Sequence, residues 1–431
     1  MKVLFITHPR ISHIKPILGL IYSIQSFGRD IEVYVITSAE YKYLFNENVI
    51  VKPVVYEEKP FQNVVQKESV DIIKMDEKEK NSYFFEQMEK NFENFIFETP
   101  NVRNTILDLI SEIEPEIILR DSIETVGLEF CYHNEGVKLV TYVTNNIYTF
   151  DYLCEDTNRF KLYFGMKEIP TLLIRLILPE IRNYLESAFS SFQSKYKYPF
   201  LYFFYNRNPK EELIINFSTS CFYPQNFLKE GVVTCLPHND YVDYSLEEDE
   251  KIFVQSNQGK KIVYICCGSY IQLPKKYFED YIDIFLKFGF ILVVSTNYYS
   301  NDDFTYDKNK VLIKKRVNQN FILRNSYIVV SSGGHNTILE AIKHAVPILV
   351  DPQVNEQILN GLLIEENLYG LTFESSRDTE LDKLTIISLL ISHYSLFKDR
   401  IVKGQFKLLS ELEELEEKNK YIVQKILKGR I

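Results

Sequence analysis

Short apolar runs alternate with segments of helical periodicity along most of this 431-residue chain. Near its start, the run Val3 to Ile6 predicts a buried strand. A helix that ends at Gly28 is predicted next, since apolar residues recur there at helical spacing, at Ile17, Leu20, Ile21 and Ile24. The second apolar run, Ile31 to Ile36, predicts another strand and completes a βαβ unit.

The second half of the chain repeats this alternation. Five apolar runs, mostly separated by helical segments, predict strands in KKIVYICCGS, FILVVST, KVLIKK, YIVVSS and VPILVD. Strands that alternate with helices indicate an α/β protein with a parallel sheet covered on both faces. Because 431 residues exceed one comfortable α/β core, we predict two domains, at residues 1–235 and 260–405. The polar, acidic segment 236–259 is the predicted linker, and the charged, amphipathic segment 406–431 is a predicted last helix.

Composition excludes several classes of protein. The net charge of −10 and the interrupted basic cluster Lys308 to Arg316 argue against nucleic-acid binding. The six cysteines contain no CxxC pair, which argues against a zinc site and suits a reducing cytoplasm. The most apolar later stretch, Ile169 to Leu178, contains Pro170 and Arg175 and is too short to cross a membrane. We therefore expect a cytoplasmic protein without a targeting or transmembrane segment.

The strongest functional signal lies between Ser331 and Gly361. Gly333 and Gly334 allow a sharp backbone turn and a close approach to a ligand. A helix predicted to begin near Asn336 aims its free N–H groups at that turn, which favours a phosphate ligand.

This stretch resembles the nucleotide-sugar signature of the UDP-glycosyltransferases (glycosyltransferase family 1), and the chain is most similar to their soluble, bacterial, macrolide-glycosyltransferase-like type. The family pattern is roughly H-G-G-x-N-[ST]-x-x-E, then G-V-P, a proline after the next strand, and D-Q. At matching offsets the chain has Gly333, Gly334, Asn336, Thr337, Glu340, Ala345-Val346-Pro347, Pro352 and Glu356-Gln357. The resemblance implies a GT-B fold, in which two Rossmann-like doubly wound domains face a central cleft. The N-terminal domain would bind the acceptor, the C-terminal domain would bind the nucleotide sugar, and the last helix would pack back on the N-terminal domain.

The resemblance also implies a role for each donor-side residue. Asn336 and Thr337 would lie at the diphosphate, and Glu340 would bind the ribose hydroxyls. Glu356 and Gln357 would bind the sugar hydroxyls. Two upstream segments complete the donor site: Val317-Asn318-Gln319 against the uracil, and Cys267-Gly268-Ser269 at the phosphates.

Two departures from the family pattern concern the donor. Ser332 stands where the family usually has a histidine that contacts the diphosphate, and His335 lies in a variable position of the motif. Glu356 replaces the usual aspartate, which keeps the carboxylate and lengthens the side chain by one methylene.

The catalytic residues are predicted in the N-terminal half. His13 and Pro16 resemble the family's G-H-x-x-P, whose histidine is the catalytic base, with Ser12 in place of the glycine. A neutral imidazole suits this role, because the acceptor hydroxyl must lose its proton as it attacks the sugar. A carboxylate that fixes the tautomer is expected after a later strand, and Asp121 ends the apolar run in PEIILRDS.

These residues predict an inverting, metal-independent transfer from a UDP- or TDP-sugar to a hydroxyl of a small-molecule or lipid-like acceptor, with no cofactor and no metal site. The acceptor pocket falls in the aromatic-rich region between about residues 58 and 215, and a homodimer is left open. The alternatives are a lipid-directed GT-B glycosyltransferase, a sugar-nucleotide epimerase, and a degenerate, non-catalytic subunit that binds and stabilises a partner. Ser332 motivates the last of these.

Overall fold

In the computed structural model the chain forms two parallel β-sheets, each covered by helices. The structure describes residues 1–28, 30–56, 76, 78–79, 82, 85–86, 99–147, 150–163, 170–196, 211–224, 228, 231–237, 245–266, 273–373 and 380–428. Within these residues one sheet has seven strands and the other has six, and every strand pair is parallel.

The first sheet has the strand order β3-β2-β1-β4-β5-β6-β7. Its strands are β1 Lys2–Ile6, β2 Glu32–Thr37, β3 Val49–Pro53, β4 Ile117–Asp121, β5 Lys138–Val143, β6 Glu211–Phe217 and β7 Val232–Cys235. Four of the five residues of β1 and all five of β4 are buried, as expected where helices cover both faces of a parallel sheet.

The second sheet has the order β10-β9-β8-β11-β12-β13. Its strands are β8 Ile262–Cys266, β9 Ile291–Ser295, β10 Val311–Lys314, β11 Ser326–Ser331, β12 Ile348–Val350 and β13 Gly370–Thr372. In both sheets the strand order reverses direction next to the first strand, which is the doubly wound arrangement predicted from the sequence.

The described helices connect the strands and cover the sheets. Around the first sheet they are α1 Ile11–Ile14, α2 Leu18–Phe27, α3 Pro100–Ile113, α4 Val126–His133, α5 Phe150–Glu155, α6 Thr157–Tyr163 and α7 Thr171–Tyr196. From the second half come α8 Glu248–Ser256, α9 Lys275–Lys287, α10 Gln319–Arg324, α11 His335–Lys343, α12 Asn355–Glu366, α13 Glu380–Ser392, α14 Tyr394–Glu413 and α15 Leu415–Leu427. Short 3₁₀ turns occupy Lys15–Ile17, Ala39–Leu44 and Asn301–Asp303.

Three elements differ from those predicted from the sequence. The predicted linker, 236–259, contains helix α8, whose first turn carries Glu248, Asp249 and Glu250. Three carboxylates in the first turn stabilise the helix, because they lie at the positive end of its dipole. A prediction based on apolar periodicity does not use this signal. The strand β13 was not predicted, because three residues give too short an apolar run. The predicted last helix, 406–431, is the end of α14 followed by α15.

The end of the chain packs against the first sheet's helices. Helix α15 contacts α2, and Cys235 Sγ lies 3.4 Å from Asn419 Oδ1 of α15. Lys138 Nζ donates to the carbonyl oxygens of Lys425 and Lys428, at 3.0 and 3.4 Å. A lysine at this position suits the negative C-terminal end of a helix, so α15 is tied to the N-terminal half by charge as well as by packing.

Candidate active site

The predicted site residues lie at the carboxyl edges of both sheets. β1 and β4 are neighbours, so the short helix α1, which follows β1 and carries His13, lies beside the end of β4, where Asp121 stands. β8 and β11 are neighbours in the second sheet, and the turn Ser332–Gly334 follows β11. Doubly wound sheets bind ligands at such points, where the strand order reverses.

His13 and Asp121 form a direct hydrogen bond. His13 Nδ1 lies 2.7 Å from Asp121 Oδ2, although the two residues are 108 positions apart in the chain. The Asp121 side chain is fully buried, and the His13 side chain retains 18% of its exposure. Asp121 Oδ1 also accepts the backbone N–H of Ile123 at 3.2 Å. A carboxylate that accepts Nδ1–H leaves Nε2 of His13 to take a proton.

The charges around this pair favour its ionised form. Burial lowers the pKa of His13, but the charge and hydrogen bond of Asp121, with the charge of Glu356, raise it above its usual value overall. Burial raises the pKa of Asp121, but the same contact with His13 holds it below its usual value. His8, whose ring centroid lies 4.9 Å from that of His13, behaves differently. Burial, followed by the charge of His13, lowers the pKa of His8 to about 3, so His8 stays neutral.

A buried ion pair supports the end of β4. Arg120 Nη2 lies 2.9 Å from Glu211 Oε1, and both side chains are almost completely buried. Arg120 Nη1 donates to the carbonyl oxygens of Asp121 at 3.1 Å and of Ser122 at 3.3 Å, and also contacts that of Glu124. This ion pair was not predicted from the sequence, because Arg120 lies within an apolar run and Glu211 lies 91 residues away.

The predicted glycine turn is present after β11. Gly333 has a φ of +87°, and a Cβ there would lie 2.8 Å from Val350 Cγ1 and 3.1 Å from the carbonyl oxygen of Gln357. Gly334, the residue before α11, faces open space, since no atom would lie within 4 Å of its Cβ. The turn therefore requires glycine at 333 for its own geometry and leaves room beside 334.

The predicted donor residues on α10 and α11 contact one another. Gln319 Nε2 hydrogen-bonds Glu340 and lies 3.4 Å from Thr337 Oγ1. Gln319 Oε1 accepts the Tyr264 hydroxyl at 3.0 Å, and Val317, two residues earlier in the chain, is buried. Gln319, Thr337 and Glu340 thus lie together along one edge of the second sheet.

Asn336, at the first turn of α11, reaches the other half of the protein. Its Nδ2 donates to the carbonyl oxygen of Ser12 at 3.2 Å, one residue before His13. The N-terminus of α11 and the helix α1 that carries the predicted base are therefore in direct contact.

Ser332 and Gln357 contact each other, whereas Glu356 contacts the first half of the protein. Gln357 Nε2 donates to Ser332 Oγ at 3.4 Å, and Glu356 Oε2 accepts Asn145 Nδ2 at 2.9 Å. Burial raises the pKa of Glu356 to about 7, against the charge of His13 and a hydrogen bond from Asn360. Glu356 therefore titrates near neutral pH and faces the predicted base.

The last predicted residues are Gly268 and Ser269, and His335 occupies the variable position of the motif. Gly268 and Ser269 lie outside the described residues. His335 is buried and donates from Nε2 to the carbonyl oxygen of Phe217 at 2.9 Å, while burial lowers its pKa to about 4. Because its ring is neutral and bound to the first domain's backbone, His335 does not replace the histidine missing at 332.

A groove of about 600 Å³ runs between the two halves beside the donor residues. Its walls come from α2, α11 and the last two helices, and it includes Tyr22, Glu340, Lys343 and Asn419. Glu340 belongs both to this groove and to the predicted donor site, whereas His13 is not among the lining residues.

No group of three or more His, Cys, Asp or Glu side chains among the described residues is arranged to hold a metal ion. No helix in the described part of the chain combines the length and hydropathy that a membrane crossing needs.

The architecture is similar to that of several solved glycosyltransferase structures. A UDP-glucose:anthocyanidin 3-O-glucosyltransferase in complex with UDP gives a TM-score of 0.67 at 14% identity, over 99% of this chain and 99% of that one. The calicheamicin glycosyltransferase gives 0.65 at 12% identity, over 99% and 98%. The spinosyn rhamnosyltransferase complexed with thymidine diphosphate gives 0.64 at 13% identity, over 97% and 99%.

The fold is GT-B. Two Rossmann-like domains with parallel sheets, matched over nearly the whole length of these enzymes, confirm the fold predicted from the sequence. No family model and no curated protein sequence matches the chain.

Proposed function

We propose that this protein is an inverting, metal-independent glycosyltransferase that moves a sugar from a UDP- or TDP-sugar to a hydroxyl of a small-molecule acceptor. The observation that carries the proposal is the hydrogen-bonded pair His13–Asp121 beside the N-terminus of α11, which Asn336 joins to Ser12. Three of the similar solved structures are complexes with UDP, with thymidine diphosphate and with a spinosyn aglycone, which supports this class of donor and acceptor.

His13 is the general base of the proposed reaction. Nε2 takes the proton of the acceptor hydroxyl while the hydroxyl oxygen attacks the anomeric carbon. The bond from that carbon to the diphosphate oxygen breaks, and its electron pair leaves with the nucleoside diphosphate. Asp121 holds the ring in the required tautomer and stabilises the imidazolium. A single displacement inverts the anomeric configuration.

The donor residues stabilise the leaving diphosphate and orient the sugar. The N-terminus of α11, with Ser332, Asn336 and Thr337, offers hydrogen-bond donors and a positive dipole end to the phosphates. Gly268 and Ser269, which follow β8 in the sequence, would add to them. Because these groups offset the negative charge that develops on the leaving diphosphate, the proposed reaction needs no metal ion. Activity in excess EDTA should therefore match activity in buffer.

The remaining donor contacts follow the sequence-based assignment. Glu340, with Gln319, would bind the ribose hydroxyls, and Val317 would pack against the base. Glu356 and Gln357 would bind the hydroxyls of the sugar. The lipid-like acceptor, the homodimer and the cytoplasmic location stay predictions.

The test is a transfer assay with purified protein. UDP- and TDP-sugars are incubated with a panel of hydroxylated small molecules, products are detected by mass, and their anomeric configuration is read by NMR. We expect an inverted glycoside in wild type and almost none in His13→Ala. A retained configuration, or equal activity in His13→Ala, would overturn the proposed mechanism.

Ser332 favours a second candidate, a non-catalytic subunit that binds and stabilises a partner. Its buried hydroxyl lies against Gln357, in the position where the family's histidine contacts the diphosphate. Wild-type protein that binds no nucleotide and transfers no sugar in any combination would move the assignment to this candidate.

A further inference from the structure

The segment after β5, residues 144–146, contacts both the predicted base and the predicted sugar site. Thr144 Oγ1 lies 3.2 Å from His13 Nδ1. The next residue, Asn145, donates from Nδ2 to Glu356 Oε2 at 2.9 Å. Two adjacent side chains of one segment thus touch the two groups that must cooperate in the proposed reaction.

Asn146 continues this connection to the glycine turn. Its Nδ2 donates to Asn360 Oδ1 at 3.2 Å, and Asn360 Nδ2 donates to the carbonyl oxygen of Gly333 at 2.8 Å. Ser218 Oγ donates to Asn146 Oδ1 at 2.5 Å from the end of β6. Asn146 and Asn360 are both buried, so this chain of hydrogen bonds is shielded from water and fixes the turn relative to the first sheet.

Glu356 needs a hydrogen-bond donor such as the Asn145 amide, because its buried surroundings disfavour the ionised form of its carboxyl group. A carboxylate binds sugar hydroxyls best when it is ionised and accepts hydrogen bonds, but burial raises the pKa of Glu356 to about 7. The titratable groups that face it are His13, from α1, and Tyr163, from α6. A donated N–H stabilises the ionised form of a carboxylate and also fixes its orientation.

We propose that Asn145 is a positioning residue for the donor sugar, whose amide holds the carboxylate of Glu356 in place for the sugar hydroxyls. The inference rests on the proposed function, because it takes Glu356 as a sugar-binding group. Asn146 supports the same arrangement by fixing the glycine turn. Without the Asn145 amide, Glu356 loses its closest described donor and is protonated at higher pH.

The experiment compares sugar nucleotide with free nucleotide by calorimetry. Wild type is titrated with UDP, TDP, UDP-glucose, UDP-N-acetylglucosamine and TDP-glucose, and the tightest sugar nucleotide is paired with its diphosphate. The Kd of the sugar nucleotide divided by the Kd of its diphosphate is a ratio that reports the sugar contacts alone. In Asn145→Ala we expect the diphosphate Kd to stay unchanged and the ratio to rise about tenfold, the size of one charged hydrogen bond.

Two further variants make the result specific. Asn145→Asp keeps the shape of the side chain but places a second carboxylate against Glu356, so we expect a larger rise in the ratio. Asn367→Ala is the control: Asn367 Nδ2 also donates across the domains, to the carbonyl oxygen of Phe222 at 3.2 Å, from the end of the same helix. We expect Asn367→Ala to leave the ratio unchanged. As the pH is lowered from 8 to 6, the ratio should begin to rise at a higher pH in Asn145→Ala than in wild type.

Each other result decides against the inference in a distinct way. An unchanged ratio in both Asn145 variants, with wild type still binding nucleotide, overturns the inference and leaves the proposed function intact. An equal effect of Asn367→Ala means that the amide only holds the domains together. If wild type binds none of the five ligands, the proposed function and the inference fail together. If Asn145→Ala does not fold, the Asn145→Asp variant of equal size decides.

Discussion

The two halves of the cleft are built to different degrees of rigidity. On the N-terminal side, His13 and Asp121 form a 2.7 Å contact that is buried and supported by the Arg120–Glu211 ion pair. On the C-terminal side, Glu340 is held by a hydrogen bond from Gln319. The predicted diphosphate residues have longer contacts, 3.4 Å in both Gln357–Ser332 and Gln319–Thr337. We infer that the base is prepared in advance, whereas Ser332 and Thr337 exchange these partners when a nucleotide sugar binds.

The largest expected effect is on the rigid side. His13→Ala should lower kcat by about 10²–10⁴-fold, because a positioned general base contributes this much. Calorimetry should show unchanged affinity for the nucleoside diphosphate, since His13 acts on the acceptor. His133→Ala, an exposed histidine of the same domain, is the control and should retain full activity. Loss of nucleotide binding in His13→Ala would contradict the separation of the two sides.

The ion pair behind Asp121 should dominate stability. Arg120→Met or Glu211→Met alone leaves an unpaired buried charge, which costs about 3–5 kcal/mol in the free energy of unfolding. The double variant should recover much of this loss, because it removes both charges. Chemical denaturation followed by fluorescence and circular dichroism measures all three. Single variants within about 1 kcal/mol of wild type would show that β4 does not depend on the pair.

The glycine turn offers a matched pair of substitutions on the donor side. Gly333→Ala should cost about 1–3 kcal/mol, because alanine is strained at a φ of +87° and its Cβ would press on Val350. Gly334→Ala should fold normally, since its Cβ meets open space, yet should weaken nucleotide binding by narrowing the approach to α11. Thermal unfolding and calorimetry separate the two effects. Equal stability of the two variants would refute the assigned turn geometry.

The smallest expected effect is a shift in pH dependence. The base must be neutral to accept a proton. Burial lowers the pKa of His13, but Asp121 raises it by more, so the net shift is upward. The acidic limb of kcat should therefore lie above pH 6.5, the usual pKa of histidine. Asp121→Asn should move that limb to lower pH while also lowering kcat. Profiles of kcat between pH 5 and 9 measure both. A limb that stays in place would assign it to another group, for which Glu356, with a pKa of about 7, is the candidate.

The sequence was sufficient for the fold and for the order of the motifs. Continuous apolar runs predicted the buried parallel strands, and Gly333 predicted a turn that only glycine adopts without strain. The pairing of His13 with Asp121 was expected from the family pattern, and the structure brings the two together.

Other features had no local signal. Arg120 and Glu211 meet only because β4, β5 and β6 are neighbours, and residues 144–146 reach Glu356 only across the two domains. Polar residues that pair over more than ninety positions leave no periodicity to detect. The placement of Gly268 and Ser269 remains a prediction from the sequence.

The most direct test of the account is a calorimetric titration of wild type and Glu340→Gln with UDP and TDP. A ligand at one hundred times its Kd also stabilises the folded protein by about 2.7 kcal/mol, so thermal unfolding gives an independent reading. The account predicts that wild type binds at least one of the two diphosphates and that Glu340→Gln, still folded, binds it more weakly. Absence of binding by wild type, or equal binding by both proteins, would contradict a nucleotide site at the edge of the second sheet.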